Sequence, residues 1–232
     1  MTNRRFFVFL NKKIQKGIKT VNSKELRTSP TLLRNEYPVT QIGMPIITSQ
    51  NMPSLTTMLS YHDVCENDEA ARSSNILVHF FKNDVLFESL YERPHNKQNI
   101  RKLKQLAQYS AVCTPDFSLY PEMPYPVQIK QVFKNRWCGA HWQSLGLCVI
   151  PTISWADEKS YSFCFDGISK ESVVVVSTVG CKQSKNQFLA GYDKMLEVLQ
   201  PHTILCYGNP LCEMSGNIIC FPYSAFRKKV SA

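Results

Sequence analysis

Short, nearly continuous apolar runs alternate with amphipathic stretches from about residue 75 to residue 221 of this 232-residue chain. Each run has the length and composition of a buried strand, because apolar side chains occupy both of its faces. The predicted strands cover residues 76–81, 111–113, 147–150, 172–176, 203–207 and 217–221. The four consecutive valines at 173–176 are the clearest case, since a central parallel strand is covered on both sides.

Helical periodicity separates several of these runs. Residues 84–91 and 97–107 predict two short helices, and Asn96 is placed to cap the second one. Another helix is predicted after Ser184 and Gln187, which have the spacing of a capping box. These stretches would pack their apolar sides against the strands.

The longest helical pattern covers residues 124–145 and ends at Gly146. Its apolar positions form one stripe, and Lys130, Gln131 and Lys134 are predicted to face away from the core. Residues 160–165 fit a short helix and a strand equally well.

The order of strand and helix, repeated about four times, predicts an α/β fold with a mostly parallel sheet. A barrel-like form, or an incomplete (β/α) barrel, is favoured because every strand ends in polar residues. An open doubly wound sheet is the alternative, although the glycine fingerprint of a dinucleotide site is absent from the sequence.

Charge divides the chain into three parts. Residues 1–40 form a basic and irregular segment, residues 41–226 a single α/β domain, and residues 227–232 a short basic tail. The net charge is +9, and residues 1–36 hold nine basic against two acidic residues. The central part is therefore nearly neutral, unlike a DNA-binding core, whereas the basic ends suit phosphate backbones or serve as solvated tails. Nucleic-acid contacts, in that hypothesis, come from Arg4, Arg5, Lys12, Lys13, Lys16 and Lys19.

The nine cysteines include no Cys-x-x-Cys pair. Zinc ligation needs clustered thiolates or imidazoles, so no metal and no cofactor is predicted. A reduced, cytoplasmic protein is expected. No apolar run approaches the ~18–20 residues of a membrane-spanning helix, so no membrane association is expected.

Polar and aromatic side chains follow the predicted strands, where ligands collect in parallel α/β folds. Asp116 is a candidate general base, and Asp166 is a candidate second carboxylate for acid–base catalysis. Both also fit turns or caps, and for the Asp-Gly dipeptide at position 166 the turn is favoured. The candidate ligand-binding residues are Ser118, Asn135, Arg136, Gln143, Thr152, Ser154, Trp155, Ser177, Thr178, Gly180 and Tyr207.

Three groups of these candidates have specific expected roles. Arg136 and Gln143 lie seven residues apart on one helix face and are placed to reach an anion or a base edge. Residues 177–180, between a strand and a helix, are placed to cradle a phosphate. Trp155 offers a stacking face. A purely structural role is the alternative for each.

Seven segments together carry a family resemblance. They are PDFSLY at 115–120, NRW at 135–137, WQS at 142–144, VIPTISW at 149–155, FCFDG at 163–167, VSTVG at 176–180 and CYG at 206–208. In this order they resemble an uncharacterised domain-of-unknown-function family of bacteria, phages and plasmids, over about residues 43–222. The resemblance implies a mobile-element setting and a bacterial host cell, and it supplies no catalytic residues.

Three functions remain open at this point. The first is binding, with or without hydrolysis, of a small polar or phosphorylated, nucleotide-like ligand at the strand ends. The second is a nucleic-acid-binding accessory of phage or plasmid replication that uses the basic N-terminal segment. The third is a non-catalytic interaction protein. The sequence does not decide the oligomeric state.

Overall fold

The computed structural model describes residue 34, residues 36–64 and residues 75–223. The basic residues 4–19 and the tail 227–232 lie outside this part of the chain. Within it, the strands are β1 (Thr57–Ser60), β2 (Ile76–His79), β3 (Ala111–Cys113), β4 (Val149–Ile150), β5 (Val173–Ser177), β6 (Thr203–Tyr207) and β7 (Ile218–Phe221). The α-helices are α1 (Glu88–Glu92), α2 (Lys97–Leu106), α3 (Tyr125–Ser144) and α4 (Lys185–Leu199).

The strands form two parallel sheets, in the orders β1-β2-β3-β4 and β5-β6-β7. Thr152, just beyond β4, makes an isolated parallel bridge to Val175 of β5 and so links the two sheets. The predicted α/β class, with parallel strands and interspersed helices, is therefore confirmed. Among the described residues no strand pairing joins β7 to β1, so the sheets do not close into a barrel, in line with an open form.

The second sheet buries both of its faces. Val175 and Leu205 pack with residues of the first sheet, whereas Val174 and Val176 pack with α4 residues such as Tyr192. All four of these aliphatic side chains have essentially no exposed surface or none at all. Burying each one contributes about 1.5–3 kcal/mol to folding, which explains the uninterrupted run of valines.

Several sequence predictions need correction. β1 precedes the first strand that the sequence predicts, at residues 76–81, and was missed because a four-residue strand between polar segments gives little periodicity. The capping box before α4 is absent: Ser184 makes no side-chain cap, and the Gln187 amide donates to the carbonyl of Ala156 at 2.7 Å. Residues 160–165, which fitted a helix and a strand equally well, begin within a 3-10 helix, Glu158–Ser162.

The cap of α2 is as predicted, since Asn96 Oδ1 accepts a hydrogen bond from the amide of Asn99 at 2.7 Å. In the described part of the chain, no helix is both long enough and apolar enough to cross a bilayer.

Candidate functional site

Two threonines fix the geometry at the carboxyl ends of β3 and β4. Thr152 N donates to Thr114 Oγ1 at 2.8 Å, and Thr152 Oγ1 donates to the Thr114 carbonyl at 2.8 Å. Both residues are essentially inaccessible to solvent. This reciprocal pair brings the segments that follow the two strands together, and the Ser154 side chain hydrogen-bonds the carboxyl group of Asp116.

A second carboxylate, that of Asp84, is near enough for its negative charge to act on Asp116. Asp84 sits at the start of the 3-10 helix that follows β2. Its carboxylate accepts hydrogen bonds from the Ser118 hydroxyl at 2.9 Å, from the Ser118 amide at 3.1 Å and from Gln131 Nε2 at 3.3 Å. These donors hold Asp84 close enough for its charge to act on Asp116.

The environment of Asp116 changes its acidity. The pKa of Asp116 is raised from the ordinary value of 3.8 to about 7: burial is the largest cause, the hydrogen bond with Ser154 opposes the increase, and the negative charge of Asp84 adds to it. A carboxyl group with a pKa near 7 can both accept and donate a proton at neutral pH.

Behind Asp84 lies a polar chain on α3 that the sequence analysis placed on the solvent side. Lys134 is only 3% exposed, and its ammonium group pairs with Glu88 at 2.7 Å. It also donates to Gln131 Oε1 at 3.0 Å, while Gln131 Nε2 donates to the Ser118 carbonyl at 3.1 Å. The prediction that Gln131 and Lys134 face away from the protein was wrong, because these contacts orient Gln131 towards Asp84.

Asp166 does not pair with Asp116. Its carboxylate accepts a hydrogen bond from the hydroxyl of Thr40 at 2.5 Å, and it shares no hydrogen-bond partner with Asp116. The turn that contains Asp166 ends at Gly167, whose φ of 76° favours glycine. The structure therefore gives Asp166 the turn role that the dipeptide favours.

Asn135 and Arg136 hold backbone segments in place. Asn135 Nδ2 donates to the Pro115 carbonyl at 2.8 Å, directly before Asp116. The Arg136 guanidinium, 2% exposed, donates to Asn135 Oδ1 and to the carbonyls of Cys164 and Asp166. Burial lowers the pKa of Arg136 to about 10, so the group stays charged at neutral pH. Each of its three nitrogens donates to a group within the protein and the side chain is almost fully buried, so Arg136 is not placed to contact an external anion.

Gln143 lies away from the strand ends. Its amide makes two hydrogen bonds with the backbone of Thr48, donating to the carbonyl at 2.8 Å and accepting from the amide at 3.0 Å. Gln143 is near the C-terminus of α3, next to the start of β4, whereas Arg136 is a further two turns back. The expected joint role of Arg136 and Gln143 is therefore not supported by their positions.

Trp155 packs against α4. A Cβ atom at Gly191 would lie 2.1 Å from Trp155 Nε1, so the missing side chain makes room for the indole. Phe188 adds a ring at 5.2 Å between centroids. The ring of Trp155 is thus engaged by the helix rather than held free for stacking.

The segment 177–180 ties β5 to β6. The Ser177 hydroxyl accepts from the amide of Val179 at 3.2 Å and donates to the Tyr207 carbonyl at 3.4 Å. Thr178 Oγ1 donates to the carbonyl of Asn209 at 2.8 Å, and Gly180 has a φ of 87°. Both hydroxyls donate to carbonyls of the segment 207–209, so neither is available to donate to a phosphate in the predicted cradle.

The structure thus brings together some of the predicted residues and separates others. One cluster contains four of the predicted residues, Asp116, Ser118, Thr152 and Ser154. We call this cluster, with Asp84 and Gln131 added, the acid-pair site. Tyr207 lies at the end of β6, where it contacts His79 instead. Asp84 had a usable signal, because it is the first acidic residue after the β2 run. No sequence signal pointed to Gln131 as a site residue, since its position matched the polar side of a helix.

In the described residues no three His, Cys, Asp or Glu side chains are grouped so that they could hold a metal ion.

Comparison with known proteins gives the chain a family. Residues 38–224 match the model of a family described as Domain of unknown function (DUF4417). The chain belongs to this family. The seven segments that carry the resemblance all lie within the DUF4417 match.

Phage proteins are among the relatives of this DUF4417 chain. The Gene 1 protein of Mycobacterium phage L5 is 41% identical over 144 residues, which cover 61% of this chain and 60% of that protein. The Gene 1 protein of Mycobacterium phage D29 is 39% identical over 143 residues, which cover 60% of this chain and 51% of that protein. The matched stretch thus spans between half and two thirds of these relatives. No solved structure matches the chain.

Proposed function

We propose that the protein binds a small polar ligand at the acid-pair site and uses Asp116 to exchange a proton with it. The observation that carries this proposal is the convergence of Asp84, Ser118, Asp116 and Ser154 at the carboxyl ends of neighbouring parallel strands, which the Asp84–Ser118 and Thr114–Thr152 hydrogen bonds hold together. The raised pKa of Asp116, about 7, supports it. Strand ends of this kind are where ligands bind in α/β folds, and strongly perturbed carboxyl groups concentrate at functional sites.

The two carboxyl groups have different roles. Asp84 accepts hydrogen bonds from the Ser118 hydroxyl, the Ser118 amide and Gln131 Nε2, which hold its carboxylate in place as an anchor for a ligand hydroxyl or amino group. Asp116 is the group that changes protonation. In a hydrolysis, ionised Asp116 takes a proton from a water molecule as the water oxygen bonds to the substrate, and it returns this proton to the leaving group as the scissile bond breaks.

The charge of the acid-pair site limits what can bind directly to it. Two adjacent carboxyl groups repel a phosphate, whereas uncharged or cationic donors are attracted. The part of the ligand that contacts Asp84 and Asp116 therefore carries hydroxyl or amino groups. If the ligand is phosphorylated, its phosphate lies elsewhere along the strand ends.

A variant series tests the proposal. Asp116→Asn removes the titration with little change of shape, and Asp193→Asn, at an exposed position of α4, is the matched control. We expect members of a panel of monosaccharides, nucleosides and polyamines to raise the Tm of the wild type and of Asp193→Asn, but not of Asp116→Asn. If the panel members that bind raise the Tm of Asp116→Asn equally, Asp116 is not part of the binding site.

Nucleic-acid binding is a second candidate, supported by the concentration of nine basic residues within residues 1–36. Replacing Arg4, Arg5, Lys12, Lys13, Lys16 and Lys19 with glutamine should weaken DNA binding and flatten its salt dependence, because fewer counterions are released. Unchanged affinity and slope in this variant would count against the basic segment as the DNA contact.

The phage relatives suggest where the protein acts. We infer that it works in the cytoplasm of an infected bacterium, where its thiols stay reduced. Measuring the protein in fractions of infected cells tests this location, and recovery with the membrane fraction would contradict it.

A further inference from the structure

Two cysteines lie side by side at one edge of the second sheet. Cys206 of β6 and Cys220 of β7 are partners in the parallel ladder, so their side chains point to the same face of the sheet. Both thiols lie against one carbonyl oxygen, that of Gly208, at 3.6 Å for the Cys206 sulfur and 3.3 Å for the Cys220 sulfur. Among the strands of the described chain, no other two cysteines are paired in this way.

The spacing of the two strands suits a disulfide bond. Neighbouring strands of a sheet lie about 4.7–4.9 Å apart. The Cα atoms of disulfide-bonded cysteines are usually ~4.4–6.8 Å apart, so the bond needs little movement of the backbone. β7 is free to make a small movement, because in the described part of the chain it pairs on one side only and its middle residues, Ile219 and Cys220, are exposed.

The two thiols differ in their access to solvent. Cys206 has essentially no exposed surface, whereas Cys220 is exposed. A buried cysteine packs as a small apolar side chain, but an exposed cysteine on an edge strand gains little from packing. Cys220 is therefore the thiol that meets a dissolved oxidant, and Cys206 is placed to react with Cys220 afterwards.

The surroundings of Cys206 agree with this second role. The pKa of the Cys206 thiol is raised to about 11: burial is the largest cause, the hydrogen bond with Thr178 opposes the increase, and the charges of Cys220 and Cys181 add to it. Cys206 is therefore protonated at neutral pH and does not compete with Cys220 for the oxidant, since the thiolate is the nucleophile.

We propose that Cys220 and Cys206 form a modification site, at which a peroxide converts the two thiols into a disulfide. The Cys220 thiolate attacks one oxygen of hydrogen peroxide, the O–O bond breaks, and the released hydroxide takes up the proton that Cys220 had lost, which leaves a sulfenic acid and water. The Cys206 sulfur then attacks the Cys220 sulfur, the S–O bond breaks, and the leaving hydroxide takes the Cys206 proton to form a second water. One peroxide is thus reduced for each pair of thiols oxidised.

The modification site goes beyond the proposed function, because it lies on β6 and β7, whereas the acid-pair site follows β2, β3 and β4. Disulfides in a reducing cytoplasm are usually transient, so the resting pair is reduced and the bond forms under oxidising conditions. The bond fastens the edge strand to β6 beside the place where the Gly208 amide donates to the Phe221 carbonyl at 2.9 Å.

Peptide mapping of the full chain tests the modification site. The reduced protein is treated with hydrogen peroxide, its remaining thiols are alkylated, and it is digested without reductant. We expect a linked pair of peptides that contain Cys206 and Cys220, and we expect dithiothreitol added before alkylation to remove the link. Oxidation should also raise the Tm reversibly, because a cross-link restricts the unfolded chain. Absence of this linked pair, or a bond from Cys220 to another cysteine, would overturn the proposal.

Three variants assign the roles of the two thiols. Cys220→Ser, at an exposed position, should abolish the link and leave Cys206 reduced. Cys206→Ala should leave Cys220 as a sulfenic acid, which dimedone labels. Cys212→Ser is the matched control, because Cys212 is also exposed but its thiol hydrogen-bonds Glu213, and the link should form to the same extent as in the wild type.

The variants also define what contradicts the proposal. An equal loss of the link in Cys212→Ser and Cys220→Ser would show that the ladder pair is not the reacting pair. Dimedone labelling of Cys206 in Cys220→Ser would overturn the order of the two steps. Because Cys220 and Cys212 are both exposed, the comparison of these two serine variants holds even where Cys206→Ala does not fold.

Discussion

The indole of Trp155 occupies the space in which a side chain at residue 191 would lie, with three of its ring atoms between 2.1 and 2.6 Å from an ideal Cβ there. Glycine at this position of α4 costs about 1 kcal/mol of helix propensity relative to alanine. Close packing offsets this cost, because without a side chain at residue 191 helix α4 can approach the segment that follows β4.

Gly191→Ala should therefore destabilise the protein by about 1–3 kcal/mol, since overpacking outweighs the gain in helix propensity. Urea unfolding followed by tryptophan fluorescence measures the change. Asp193→Ala, on the exposed side of the same helix, should stay within about 0.5 kcal/mol of the wild type. A stabilised Gly191→Ala would show that Trp155 is free to move away.

Asp84→Asn should lower the pKa of Asp116. The substitution removes the negative charge that disfavours ionisation of Asp116 and leaves burial in place, so the pKa should move from about 7 towards its ordinary value without reaching it. A pH titration of the carboxyl 13C resonances reports the shift. The same titration in Asp193→Asn should be unchanged, and an equal shift there would assign the effect to net charge.

Asp116 should also make the stability of the fold depend on pH. Its pKa is higher in the folded state than the ordinary value of 3.8, so the folded protein binds this proton more tightly than the unfolded chain does. The stabilising contribution is complete below about pH 4 and is lost as the pH rises through 7. Unfolding free energies from pH 4 to 8 should therefore fall more steeply for the wild type than for Asp116→Asn. Parallel curves would mean that Asp116 is not perturbed.

Thr152→Val should destabilise the protein by about 1–3 kcal/mol, because the buried carbonyl of Thr114 loses the hydroxyl that donates to it. Chemical denaturation gives the value. Thr56→Val is the matched control, since the exposed Thr56 hydroxyl makes a longer bond of 3.3 Å to the Asn75 carbonyl. Similar losses in the two variants would show that burial of the Thr152–Thr114 pair is unimportant.

More of the fold than of the acid-pair site could be predicted from the sequence. Strands such as β5 and β6 are apolar on both faces and can be recognised in the sequence. β1 is harder to recognise, because it has only four residues and ends in Ser60. The position of Asp116 followed from the strand that precedes it. Asp84 also follows a strand, but its contact with Ser118 could not be predicted, because that contact depends on how two loops 34 residues apart meet.

Charged residues on helices were the hardest to assign. Lys134 fits the polar side of α3 by periodicity, but Glu88 of α1 and the Phe117 ring cover it in the folded chain. Arg136 looked suitable for an external anion, yet the carbonyls of the segment 164–166 use its donors. Periodicity records the direction of a side chain around one helix, not the elements that pack over it.

The two sheets are linked at Thr152, which lies between them in the chain and in the bridge to Val175. The Thr152 hydroxyl reaches back to β3, while Ile153 and Pro151 on either side exchange backbone hydrogen bonds of 2.9 Å with Val175 of β5. If the proposed ligand binds at the acid-pair site, we expect it to stabilise both sheets where they join. Amide exchange should then slow at Ile153 and Val175 as well as at Thr114, so that occupancy can be read from backbone positions the ligand never touches.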